Sequence, residues 1–152
     1  LIIAPFYAFS HLESDDQRRR ALDCLRGHLA PAGRVVLHLV RADVLAAEIP
    51  AGVLAAQQTR VRLDTSGVEL RVRITERSVD RLRQCCDQRV EYLLVDAAGT
   101  VRHRSVETLR YGWMTDRQRD RLLAATGLRL SLRRSAFSAA VGQEDILVLE
   151  PA

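Results

Sequence analysis

Apolar and polar positions along the chain fall into two textures. Leu1–Ala4 and Arg34–Val40 are short, nearly continuous apolar runs, the pattern of strands buried on both faces. Between them, Ala21, Leu22, Leu25 and Leu29 recur at helical spacing behind Ser14-Asp15-Asp16. Ser is a good N-cap and acids suit a first turn, so a helix is predicted that stops before Ala30-Pro31-Ala32-Gly33. Arg18 to Arg20 and Arg26 are expected on its wet side. Pro5 to His11 reads as an aromatic loop, and residues 41 to 57 are ambiguous, with a short helix over Ala42 to Glu48.

A strict alternation follows. Val61 and Leu63, then Val68, Leu70, Val72 and Ile74, then Val90, Tyr92 and Leu94 alternate with charged residues. This predicts an antiparallel meander with one buried face, turning at Thr65-Ser66-Gly67 and at Ala97-Ala98-Gly99. Val101 to Val106 close its second hairpin. Helical spacing returns behind Thr115, with Leu122 and Leu123 facing in and Thr126-Gly127 as the stop. Leu128 to Leu132 and Ile146–Leu149 are predicted strands, antiparallel neighbours joined by a loop.

Composition narrows the function classes. The 152 residues are 47% hydrophobic and 28% charged, the profile of one core-forming globular domain. An uninterrupted apolar run of about 20 residues, as a membrane span requires, does not occur. The net charge is +4, and all 23 basic residues are Arg, with no Lys and no Asn. A surface selected for phosphate contacts uses both Arg and Lys, so the Arg wealth reads as the codon bias of a GC-rich genome, and no nucleic-acid partner is expected. Cys24, Cys85 and Cys86 form no C-x-x-C or Cys/His spacing, so they read as reduced thiols and no metal site is expected. The chain opens directly on a strand, without Met, a loose polar lead or a signal peptide. A fragment that begins mid-domain is expected.

The succession of strand, aromatic loop, helix, L-x-P-x-G turn and buried strand resembles the second half of a class I S-adenosylmethionine-dependent methyltransferase. The matching segments are Leu1–Ala4 with Phe9 to Leu12, then Cys24 to Leu39. Leu109-Arg110-Tyr111 and Met114 to Leu128 are similar to a later family segment, and Asp145 to Pro151 to its last strand. Pro31-Ala32-Gly33 has Ala where the family often has Gly, and Leu128 stands where Phe is common. The family's G-x-G-x-G loop and its ribose-binding acid have no counterpart in these 152 residues.

The resemblance implies an α/β fold: a partial Rossmann-like sheet, the family's strands four to seven, with an antiparallel insert at about 58–107. It implies S-adenosylmethionine as cofactor and a small-molecule acceptor. Open α/β sheets bind ligands beyond the carboxyl ends of their strands. In the family that position, here Ala4, Pro5, Phe6 and Tyr7, contacts the methionine part of the cofactor. His11, in the following loop near where the cofactor methyl would sit, is the candidate catalytic base, with capping or packing ahead of the Ser14 helix as the alternative. Phe9, Arg110, Tyr111 and Trp113 are the candidate substrate-side residues, the last three on a loop containing Gly112, with core filling for Phe9 and anchoring of the following helix for the others as the alternatives. His38 reads as structural, and His28 and His103 as surface residues.

A bacterial, cytoplasmic methyltransferase fragment is therefore expected, inactive by itself and unable to bind the cofactor tightly. A homodimer is the expected assembly if the exposed first-strand edge is to be covered. The rival reading is a non-catalytic dimeric binding module built on a reduced sheet.

Overall fold

The computed structural model describes residues 1–56, 58–63, 67–135 and 144–152. The chain divides into two compact units: residues 1–46, 80–85 and 111–152 form the first, and residues 47–79 and 86–110 the second.

In the first unit, β1 (Ile2–Ala4) and β2 (Val35–Val40) pair in parallel, Ile2 opposite Val35 and Ala4 opposite Leu37. Parallel neighbours need a long crossover, and α1 (Asp15–Gly27) supplies it. α1 starts where the sequence predicts: the Ser14 hydroxyl accepts from the Gln17 amide, and the Gln17 side chain accepts in return from the Ser14 amide. Thr115 and Gln118 repeat this capping box at the start of α4 (Asp116–Ala125). Each box satisfies two backbone donors that a helix start leaves open. Gly127 ends α4 in a left-handed conformation, φ +63°.

The last strand, β8 (Glu144–Pro151), lies antiparallel between β2 and β7 (Leu128–Arg134), so the sheet order is β1-β2-β8-β7. The antiparallel pairing of β7 with β8 follows the sequence reading. The insertion of β8 beside β2 carries no local sequence signal. Val35, Leu37, Leu147 and Leu149 from the two central strands meet Phe9, Leu22 and Leu123 in one buried cluster. Burying each such side chain contributes roughly 1.5–3 kcal/mol of hydrophobic stabilisation.

Two expectations fail here. β1 is not buried on both faces: Leu1 is 82% exposed and Ile3 56%, because β1 is an edge strand packing only the Ile2/Ala4 side on the core. Arg18 is not on the wet face of α1 but is 3% exposed. Helix spacing places it on the inner stripe four residues before Leu22.

The second sheet has the order β3-β4-β5-β6, from β3 (Gln58–Arg62), β4 (Glu69–Asp80), β5 (Cys85–Val95) and β6 (Val101–Gly112). β3 and β4 are antiparallel, with Val61 opposite Leu70. The residues Thr65 and Ser66 of the first predicted turn lie outside those described. At the second turn the Asp96 carboxylate accepts from the Ala98 and Thr100 amides, and Gly99 takes φ +83°. The strands form, but burial does not alternate as expected: Val61 and Leu63 are exposed, and in β5 the charged Glu91 is buried beside Val90. The strands also run past Thr75 and Val106, so Arg110, Tyr111 and Gly112 end β6 instead of forming a loop. The ambiguous region resolves into α2 (Ala42–Ala46) and α3 (Ala51–Ala56).

Candidate functional site at the carboxyl edge of the first sheet

The chain leaves β1 through Pro5 and takes two successive left-handed residues, Phe6 at φ +52° and Tyr7 at φ +63°. Non-glycine residues enter this region at a cost of order 1–3 kcal/mol each, so something must hold them there. A short 3-10 turn, Ala8–His11, follows at once and buries Phe9 and Ser10. Phe6 cannot fold back onto the core and stands 83% exposed at the strand end.

Tyr7 is held from two sides. Its hydroxyl donates to Glu144 Oε1 at 2.6 Å, and its ring lies against the His38 ring with centroids 4.5 Å apart. His38 Nε2 is 3.3 Å from Glu144 Oε2. Burial pushes the Tyr7 phenol well above its ordinary range, and the Glu144 carboxylate and nearby Tyr111 push it further in the same direction. The proton therefore stays on Tyr7, and Glu144 is its acceptor.

His11 ends the 3-10 turn, exposed, with its ring 4.7 Å from the Tyr111 ring. Tyr111 reaches it because the next residue is Gly112. A Cβ there would stand 2.5 Å from Arg18 Nη2 and 3.0 Å from the Leu12 carbonyl oxygen. Only glycine lets the end of β6 pass this close to the start of α1.

Beside these groups is a cavity of about 50 Å³. Its walls include Phe9, Ser10 and Arg18 on one side, Gly112, Trp113 and Met114 on another, and Asp116, Arg119, Arg133 and Asp145 at its polar end. Arg133 makes a two-pronged pair with Asp145, Nε to Oδ1 at 3.2 Å and Nη2 to Oδ2 at 2.8 Å. Hydrogen bonding to Asp145 is the main reason the Arg133 guanidinium is raised above its ordinary value.

The structure thus gathers Tyr7, His11 and Tyr111 at one edge, with Ala4, Pro5 and Phe6 just before them. Phe9 and Trp113 are buried and form cavity wall. Arg110 belongs to the second unit, where it grips Asp87 with Nε and Nη2 at 2.6 and 2.7 Å and holds that carboxyl below its usual range. His28 and His103 are exposed, as expected. Sequence reasoning missed Glu144, Arg18 and the contact role of His38. For Arg18 the helical stripe was a usable signal; for Glu144, 137 residues from Tyr7, there was none. Among the described residues, no group of three His, Cys, Asp or Glu side chains is placed to hold a metal ion, and no helix is long and apolar enough to cross a membrane.

No protein-family model matches the chain, and no curated protein matches it in sequence. Solved structures do match in fold. DesVI from Streptomyces venezuelae superposes with a TM-score of 0.73 at 15% identity, over 99% of this chain and 57% of its own. The CcbJ methyltransferase from Streptomyces caelestis gives 0.65 at 17%, over 99% and 56%. CalS10, an amino pentose methyltransferase from Micromonospora echinaspora solved with S-adenosylmethionine, gives 0.63 at 18%, over 97% and 56%. The chain spans just over half the length of each. It has the fold of a partial class I S-adenosylmethionine-dependent methyltransferase domain.

Proposed function

We propose that this chain, with the fold of a partial class I methyltransferase domain, is the acceptor-side part of a bacterial, cytoplasmic enzyme. It would transfer a methyl group from S-adenosylmethionine to a small molecule. The observation that carries the reading is the strained Phe6–Tyr7 turn at the carboxyl end of β1, with His11 and Tyr111 stacked beside it. Ligands of open α/β sheets sit at that position.

Ala4, Pro5, Phe6 and Tyr7 would hold the methionine part of the cofactor. The fit is supported by the exposed Phe6 ring and by a backbone that turns away from the strand line there. Bound S-adenosylmethionine supplies an activated methyl group, whose carbon–sulfur bond breaks as the acceptor's new bond forms. The chain's own residues position and exclude water; they need act on a proton only when the acceptor must lose one. His11, oriented by Tyr111, is the group placed to take that proton. Phe9 and Trp113 wall the adjoining space from solvent. Arg110 is withdrawn as a substrate-side residue, because both of its prongs are engaged by Asp87.

CalS10 acts on an amino pentose, so amino sugars are the first acceptors to test. In the intact enzyme, H11A is expected to lower kcat by on the order of 10²–10⁴-fold with the cofactor Kd unchanged. Full activity in H11A would remove His11 from the chemistry. No methyl transfer to amino sugars, other amines or alcohols would remove the reading itself.

A dimeric binding module is the second reading. It is favoured by the exposed apolar row Leu1, Ile3 and Phe6 along an edge strand. Light scattering decides between them: a stable homodimer without methyl transfer in the intact protein supports the module.

A further inference from the structure

Glu144 is a half-buried carboxylate that no Arg meets. Its side chain is 17% exposed, its Oε1 accepts from the Tyr7 hydroxyl at 2.6 Å, and its Oε2 lies 3.3 Å from His38 Nε2. Elsewhere in this Arg-rich chain, carboxylates of similar burial are each matched by a guanidinium. Glu91 has Arg73 and Arg104, Asp145 has Arg133, Asp96 has Arg102 and Glu150 has Arg129. Among the described residues no Arg pairs with Glu144, and the sequence of residues 136–143 contains no Arg, Lys or His.

Neither neighbour supplies the missing charge. The Tyr7 phenol keeps its proton and is neutral. His38 carries a charge only when it is protonated, so it is no standing cation in the way an Arg is. A carboxylate taken partly out of water without a cation costs free energy. It offers about four lone-pair sites, and its two neighbours leave some of them open.

Place and geometry select the class of cation. Glu144 is paired with Val40 at the carboxyl end of β2, and Tyr7 follows the carboxyl end of β1. The carboxylate therefore sits where ligands of open α/β sheets bind. A guanidinium pairs best through two parallel prongs, and the Tyr7 hydroxyl already occupies Oε1. An ammonium is a compact charge with rotatable donors and needs only one oxygen. A metal ion would need further ligands, and among the described residues no third His, Cys, Asp or Glu joins Glu144 and His38.

We infer that Glu144 is a recognition site for the ammonium group of a small molecule, with the Tyr7 hydroxyl and His38 holding the carboxylate in place. That this amine is the methyl acceptor rests on the methyltransferase reading; the binding itself does not.

The test is a titration of the 152-residue chain with methylammonium chloride, against methanol as the neutral counterpart and sodium chloride as the matched salt. It is followed at fixed pH on the Tyr7 and His38 amide signals by NMR. No cofactor is present, so failure of methyl transfer cannot be mistaken for failure of the site. The expected result is a saturable shift with methylammonium and none with methanol or sodium. In E144Q the side-chain oxygen can still accept from Tyr7 but the charge is gone, and binding is expected to weaken by roughly tenfold. If E144Q does not fold, the side-chain carboxyl carbon of Glu144 is followed in the unsubstituted chain, and a saturable movement with methylammonium alone supports the site. No saturable shift with methylammonium, an equal response to methanol or sodium, no loss of affinity in folded E144Q, or a Glu144 carboxyl signal that stays still would overturn it.

Discussion

The Tyr7 hydroxyl and the Glu144 carboxylate, 137 residues apart, meet at 2.6 Å. This single bond ties the strained turn after β1 to the first residue of β8, across the central strand β2. It is what keeps Tyr7 left-handed and Phe6 outward. A hydrogen bond to a charged acceptor contributes about 1.5–3 kcal/mol, and partial exposure puts this one at the low end. Y7F should therefore lower stability by about 1–2 kcal/mol in a urea titration, with the m-value unchanged.

The same bond sets an alkaline limit. The Tyr7 phenol is raised above its ordinary 10.0 in the folded chain, first by burial and then by Glu144. Above pH 10 the unfolded chain sheds this proton while the folded chain keeps it. The Tyr7 contribution is thus complete below pH 10 and shrinks as pH rises toward the folded value. Stability measured against pH in this alkaline window should fall in the wild type and fall less steeply in Y7F.

The second unit has the opposite dependence. Glu91 is 2% exposed, paired with Arg73 and, at 2.6 Å, with Arg104, and these two hold its carboxyl below the ordinary 4.5. Its contribution is complete above pH 4.5 and is lost as pH falls toward the folded value. E91Q should flatten the acid limb of the stability profile, followed by circular dichroism, and should leave the alkaline limb alone.

G112A tests the approach of β6 to α1. The added Cβ meets a backbone oxygen at 3.0 Å, which cannot swing away as a side chain could. A loss of about 1–3 kcal/mol is expected in thermal or urea unfolding. In the folded fraction the ring-current shifts between Tyr111 and His11 should weaken, because the same residue sets their stacking.

Arg110 and Tyr111 should separate in kinetics. For the proposed methyl transfer, Y111A is expected to lower kcat by roughly tenfold through a mispositioned His11, a loss of about 1.4 kcal/mol in transition-state stabilisation. R110A should leave kcat and KM within twofold, as its guanidinium serves Asp87 (about 0–1 kcal/mol for a surface pair).

Much of the fold was legible in the residues. The N-cap residues Ser14 and Thr115 mark their helices, and the Val68–Ile74 alternation marks the meander. These signals are local. Strand burial was not legible for Leu1 and Ile3, because an apolar run does not say whether it lies at an edge. The strand ends were missed where Glu76, Arg77 and Ser78 break the alternation while the ladder continues. The site was half legible. Tyr7 and His11 follow from their place after β1, but Glu144 enters only through the pairing of β8 with β2, and Arg110 was drawn in by its neighbours Tyr111 and Trp113.

Amide chemical-shift mapping of the 152-residue chain with S-adenosylmethionine tests the proposed function most directly. The expected result is weak binding, because the chain carries no glycine-rich loop, with the shifts concentrated on Ala4, Phe6, Tyr7 and His11. Tight binding, or shifts that leave those residues untouched and fall elsewhere, would contradict it.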